Sequence, residues 1–190
     1  MLLVLAWVAG MAAACSSGSR GSGLPAATNG PTSTRSPDLT TATTAGRLQP
    51  CSPSSLSVAA RVGSGQVGHE AVVVVFTNRG TEPCSMFGYP LAYFLGQGGR
   101  ILSSAAVVAV GLPPSTVVLE PGGDAATTVW TANPEVPADC QQVTAAGVKV
   151  VLSGQTPSLF AKIAIPVCTV PTANTVGVTA VISGSTESAM

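Results

Sequence analysis

Cysteine is the residue type of this chain with the most chemistry open to it, and it occurs at positions 15, 51, 84, 140 and 168. Cys15 stands behind Ala12-Ala13-Ala14 and ahead of Ser16-Ser17-Gly18-Ser19. A thiol placed after small side chains at the end of an apolar run, with a polar run following, resembles the bacterial lipobox. In that motif the thiol receives a diacylglycerol and cleavage leaves the cysteine as the new N-terminus. Two features depart from the usual pattern. Ala12 stands where Leu is usual, and no positive charge precedes the apolar run that starts at Leu2, so the translation start is expected upstream of Met1. Residues 1–14 are too short for a membrane span, which needs about 20 apolar residues, and read as a signal peptide. The alternative reading is plain secretion after cleavage near Ala14.

The other cysteines, Cys51, Cys84, Cys140 and Cys168, have no CxxC spacing and only one histidine to join them, so neither a metal site nor any other cofactor is expected. In an exported chain four cysteines imply two disulfides, in one of three connectivities. Cys51 and Cys84 flank the apolar runs Leu56–Val62 and Glu70–Asn78, and Cys140 and Cys168 flank Gly147–Leu152 and Phe160–Ile165. If each pair of runs forms an antiparallel hairpin, its open ends lie side by side, which favours Cys51–Cys84 and Cys140–Cys168.

Catalytic groups are sparse. His69 is the one imidazole, beside Glu70, and neighbouring strand residues point to opposite faces, so Glu70 is badly placed to orient it. No GxSxG elbow accompanies it, and Gly63-Ser64-Gly65 lacks the lysine of a phosphate loop and reads as a turn. The acids Glu70, Glu82, Glu120, Asp124, Glu135 and Asp139 are spread over turns. No catalytic residue is assigned and the chain is not expected to be an enzyme. A more promising surface is the loop after Cys84, Ser85-Met86-Phe87-Gly88-Tyr89-Pro90, in which Met86, Phe87 and Tyr89 are candidate contact residues. The competing reading has Phe87 and Tyr89 capping the core.

These groups need elements to position them. Of 190 residues only 8% are charged, and the formal net charge is zero. The scattered basic residues exclude nucleic acid as a partner, which demands clustered cations. Residues 15–50 comprise the lipidation cysteine and a Ser/Thr/Pro/Gly-rich tether with too little apolar surface to offset its ordering entropy. Its coil dimension would be roughly 30–35 Å. Its Thr-rich part has the composition of an O-glycosylated stalk as much as of a bare linker.

From Cys51 to residue 182 short runs of Val, Ile, Thr and aromatic residues recur between turn signals. Beyond those already given, strands are predicted at Leu91–Leu95, Val107–Val110, Thr116–Leu119, Ala125–Thr131 and Val176–Ile182. The run Ala71 to Phe76 reads as a central strand covered on both faces, while the alternation in Ala125–Thr131 and around Lys149 reads as half-buried. Asn78-Arg79-Gly80 and Gly96-Gln97-Gly98-Gly99 supply residues that tolerate positive φ, and Glu120-Pro121-Gly122-Gly123 a Pro-Gly turn. Trp130 is expected in the core. The fold class is an all-β, two-sheet antiparallel sandwich of immunoglobulin-like kind, with a small β-barrel as the alternative. Residues 183–190 are expected to form a flexible tail.

The string Phe76-Thr77-Asn78-Arg79-Gly80, Pro83-Cys84 and Gly88-Tyr89-Pro90 is the most specific part of a wider pattern. That pattern includes Cys51, Gly68-His69, Leu119-Glu120-Pro121-Gly122, Trp130, Cys140 and Cys168. It resembles the actinobacterial exported domain known as domain of unknown function 4232. The resemblance implies export, a β fold and paired cysteines, and carries no activity. The expectation is therefore a lipoprotein on the extracytoplasmic face of the cell membrane. Its non-catalytic domain would bind a protein or glycan of the envelope. A cell-wall hydrolase with an unrecognised site and a structural lipoprotein without a ligand are the alternatives.

Overall fold

The computed structural model describes residues 48–109, 111–135, 138–169 and 175–186. The predicted signal segment, Cys15, the tether as far as residue 47, Val110 of a predicted strand and residues 187–190 lie outside them. The strands are β1 (Leu56–Val62), β2 (His69–Asn78), β3 (Cys84–Met86), β4 (Leu91–Leu95), β5 (Val107–Val108), β6 (Val117–Leu119), β7 (Asp124–Ala132), β8 (Gln142–Val151), β9 (Leu159–Cys168), β10 (Val176–Val178) and β11 (Ile182–Ser183). Two single 3-10 turns, Pro53–Ser55 and Gln97–Gly99, are the only helical segments among the described residues.

The larger sheet runs β1-β2-β7-β10-β5, with β11 also on β7, and the second runs β4-β8-β9. Both sheets stay open, so the molecule is not a barrel. The orders β1-β2-β7 and β4-β8-β9 are those of strands A-B-E and C-F-G of an immunoglobulin sandwich. The slot beside E is filled by β10, from the C-terminal end of the chain. Two features extend the expected architecture. β5 joins β10 in parallel, and β3 pairs with β6 as a separate two-stranded ladder.

β2 is central as its composition predicts. Ala71, Val72, Val73 and Val74 are all buried, because β1 and β7 flank the strand and both of its faces are covered. Between the sheets Val72, Val74, Phe76 and Val129 meet Ala92, Phe94, Val148, Val150 and Ala161. Strand β7 departs from its half-buried pattern: Ala125 through Thr131 are buried without alternation. Two of its threonines are hydrogen-bonded to Thr179. Thr127 Oγ1 donates to the Thr179 carbonyl at 2.7 Å, and Thr179 Oγ1 accepts from the Thr128 amide at 2.9 Å. The same contact splits the predicted strand Val176–Ile182 into β10 and β11, since Thr179 substitutes its hydroxyl for a backbone rung. Trp130 is 3% exposed, as expected of a core residue.

Both disulfides form as their flanking hairpins suggest. Cys51–Cys84 has a Cα separation of 4.8 Å and Cys140–Cys168 of 5.4 Å. Each closes a loop of about 30 residues, worth roughly 3–4 kcal/mol in chain entropy. The first also draws in the end of the tether, where Ser85 donates its amide to the Gln49 carbonyl and Pro50 bridges Ser85. At the far end Gly184 donates to Asp124, and Arg61 donates to the Ser185 carbonyl, so residues 184 and 185 are still tied to the sheet.

The Pro121-Gly122 turn is as predicted, with Gly122 at φ 78° and the Gly123 amide donating to Glu120 at 2.7 Å. Gly98 and Gly99 also adopt positive φ. The turn at Asn78-Arg79-Gly80 works differently. Gly80 is not left-handed; the Asn78 side chain makes the turn by accepting from the Gly80 amide at 2.9 Å. Asn78 is 1% exposed, and its Nδ2 donates to the carbonyls of Glu82 and Leu119. One buried amide thus joins the end of β2 to β6 and to the β3 approach.

Asn78→Ala removes that node and strands buried partners, so it should lower unfolding stability by roughly 2–3 kcal/mol in urea titration. A change under about 0.5 kcal/mol, the range of an ordinary surface substitution, would show the node to be dispensable. The Cys51→Ser/Cys84→Ser double variant should lose about 3–4 kcal/mol in the same measurement.

Candidate functional site

The loop from Cys84 to Pro90 is fixed before any partner arrives. Its first residues form β3 against β6, its base is held by the Cys51–Cys84 disulfide, and its apex is held from across the sandwich, where the Val181 amide donates to the Gly88 carbonyl at 3.0 Å. Val181 lies two residues beyond Thr179, whose amide still donates to the Thr128 carbonyl at 3.0 Å. The loop is thus tied to the segment between β10 and β11.

Beside the loop lies a groove of about 300 Å³, lined by Pro50, Met86, Phe87, Tyr89, Leu152 and Gln155 among others. The three predicted contact residues thus come together, in different situations. Met86 is 5% exposed and forms part of the core. Tyr89 is half-buried and packs against that core. Phe87 is 63% exposed and stands at the groove with its ring in solvent. The core-capping alternative therefore describes Tyr89 and not Phe87. Leu152, Gln155 and Val181 were not singled out in the sequence. They reach the groove from the far hairpin and from the last strand, and nothing local in their sequence signals that.

The acid–base groups do not converge with this groove. His69 is exposed at the first position of β2, with Nδ1 3.4 Å from the Val67 carbonyl, and Glu70 follows on the opposite face of the strand. Asp124 accepts a hydrogen bond from Thr77 Oγ1 at 2.6 Å. Among the described residues no group of three or more His, Cys, Asp or Glu side chains is placed to hold a metal ion, and no helix is long and apolar enough to cross a membrane.

A second concavity, of about 870 Å³, lies on the outer face of the β4-β8-β9 sheet and includes Gln97, Ile101, Lys149, Phe160 and Lys162. Lys149 pairs across the strands with Tyr93 on one side and Phe160 on the other. Its Nζ lies 6.0 Å from the centre of the Tyr93 ring, at the limit of a cation–π contact. The alternation around Lys149 placed it outward correctly, but its aromatic neighbours depend on a register that the sequence does not state.

The groove makes a separable prediction. Phe87→Ser should leave unfolding stability within about 0.5 kcal/mol of the parent, as for a surface residue. Met86→Ala should cost about 2–5 kcal/mol by opening a core cavity. Denaturant titration of the two variants checks both, and a large loss from Phe87→Ser would place its ring in the core.

No curated protein and no solved structure matches the chain. Residues 51–182 match a family described as a domain of unknown function (DUF4232). The match begins at the first cysteine of the Cys51–Cys84 bridge and ends at the first residue of β11, so it spans both disulfides, the Asn78 node and the pinned loop. The chain belongs to the DUF4232 family.

Proposed function

We propose that this chain is a cell-envelope lipoprotein, anchored through acylated Cys15 on the extracytoplasmic face of the membrane, whose β-sandwich is a non-catalytic binding domain for a protein or glycan of the envelope. The observation that carries the binding role is Phe87. A large aromatic side chain, 63% exposed, sits on a loop tied at its base by a disulfide and at its apex by a backbone hydrogen bond. Aromatic anchors dominate binding energy at interfaces, and a loop already held in place loses little entropy when a partner arrives. The groove beside it gives a partner a concave surface to fill.

Export is supported by the two disulfides, since such bonds persist in oxidising compartments and are rare in the cytosol. Anchoring is supported by the small-residue run ahead of Cys15 and the polar run behind it. Two acyl chains hold a protein stably where one is marginal. A chain with 8% charged residues and zero formal net charge also tolerates display on a tether better than a high free concentration.

The test of anchoring is mass spectrometry of the native protein from the membrane fraction. The expected result is an N-terminal Cys15 peptide carrying a diacylglyceryl mass, together with the linked pairs Cys51–Cys84 and Cys140–Cys168. Recovery of uncleaved protein in the cytosol with five free thiols would overturn it. The binding role is tested by titrating wild-type and Phe87→Ser protein onto isolated envelopes. At least a tenfold loss of retained protein is expected from the variant, and equal retention would remove Phe87 from the role.

A further inference from the structure

The chain has two lysines, Lys149 and Lys162, and the fold brings both to the outer face of the β4-β8-β9 sheet. Lys149 is opposite Phe160 and Gly147 is opposite Lys162, so the lysines are diagonal neighbours across one strand pair, roughly 7–8 Å apart. No carboxylate lines the surrounding basin. Like charges on diagonal positions repel each other, and no acid of the basin lining offsets them.

The surface between them is aromatic. A Cβ on Gly147 would fall 2.5 Å from Cε2 and Cζ of Phe160, so that ring lies over the glycine and occupies the space a side chain would take. Phe160 remains 44% exposed and Ile101 at the rim 56% exposed. Tyr93 extends the aromatic row on the other side of Lys149, and Gln97 and Ser158 add polar groups at the margin.

We propose that this face binds an anionic glycan, a polysaccharide bearing carboxylate or phosphate groups. The inference goes beyond the Phe87 groove: it takes the domain to be a binding module and assigns a separate site with its own ligand class. Aromatic faces carry negative charge density that attracts the C–H groups of a sugar ring, and the two ammonium groups neutralise acidic substituents on neighbouring sugars. The basin, at about 870 Å³, is within the size range of ligand sites. A lipid surface calls for clusters of four or more basic residues, so two lysines on an aromatic floor suit a polysaccharide better than a membrane.

The test is calorimetric titration of the full-length protein in detergent with oligogalacturonate as the carboxylated probe, phosphomannan as the phosphorylated one and neutral mannan as control. Tighter binding of either anionic probe than of mannan is expected, weakening as salt is raised. Lys149→Gln/Lys162→Gln and Phe160→Ala should each weaken it at least tenfold. Lys149→Arg/Lys162→Arg should retain binding, and Arg61→Gln, a cation on the other sheet, should change it less than twofold. Phe87→Ser should also leave it unchanged, which separates this site from the groove. Equal affinity for mannan, no affinity for either anionic probe, or indifference to the lysine substitutions would each overturn the proposal. A lysine-dependent preference for phosphatidylglycerol over phosphatidylcholine vesicles, without glycan binding, would assign the face to lipid and overturn it as well.

Discussion

The antiparallel ladder between β2 and β7 is the constraint on which the rest of the molecule depends. Ala71 to Val74 on one strand and Ala125 to Thr131 on the other are buried on both faces, so their backbone groups are shielded from water and must be paired. The larger sheet is built outward from this pair: β1 joins the free side of β2, β10 and β11 lie in succession along the free side of β7, and β5 is added through β10. Three threonines lie within the dry part of β7, and two of them are engaged by Thr179. A polar side chain in such a place is stable only with a partner, and Thr127 finds its partner at the break between β10 and β11.

That break has a consequence for the surface. Between β10 and β11 Val181 turns its amide to Gly88, and the loop bearing Phe87 becomes a fixed projection. The Cys51–Cys84 bridge holds the same loop from below, and Asn78 ties its approach to β6. A buried side-chain amide with all of its hydrogen bonds satisfied specifies geometry more sharply than apolar contact, because no slipped arrangement satisfies it equally well. The exposed aromatic ring is thus presented by covalent and polar restraints together with the packing of Met86 and Tyr89 on either side of it.

The two concave surfaces differ in chemistry. The groove at Phe87 is largely apolar and carries no charged side chain, and its Tyr89 also packs against the core. The basin on the outer face of the smaller sheet combines aromatic rings with both lysines of a chain that is otherwise poor in charge. On a domain with so few charged residues an unopposed pair of cations is a local excess of potential, barely diluted by neighbours. Membership of a family that carries no assigned activity leaves the roles of both surfaces to be argued from this chemistry.

Much of the fold was legible in the residues themselves. Runs of β-branched residues bounded by Gly and Pro placed β1 and β4 to the residue and most other strands within a few positions, because strand period and turn chemistry are local properties. The cysteine pairs followed from hairpins whose ends must meet. What tertiary structure alone decided was anything resting on a distant partner. β3 is three residues long and carries no pattern without β6; the alternation in β7 could not reveal that its second face is covered; and Val181 and Leu152 reach the groove from far along the chain. The same holds for Lys149 and Lys162, which stand 13 positions apart in sequence. Only the register of β8 on β9, shifted by a bulge between Ala145 and Gly147, sets them diagonally on one face. Periodicity tells which way a side chain points, whereas its neighbour across the sheet is fixed by pairing that only the folded chain supplies.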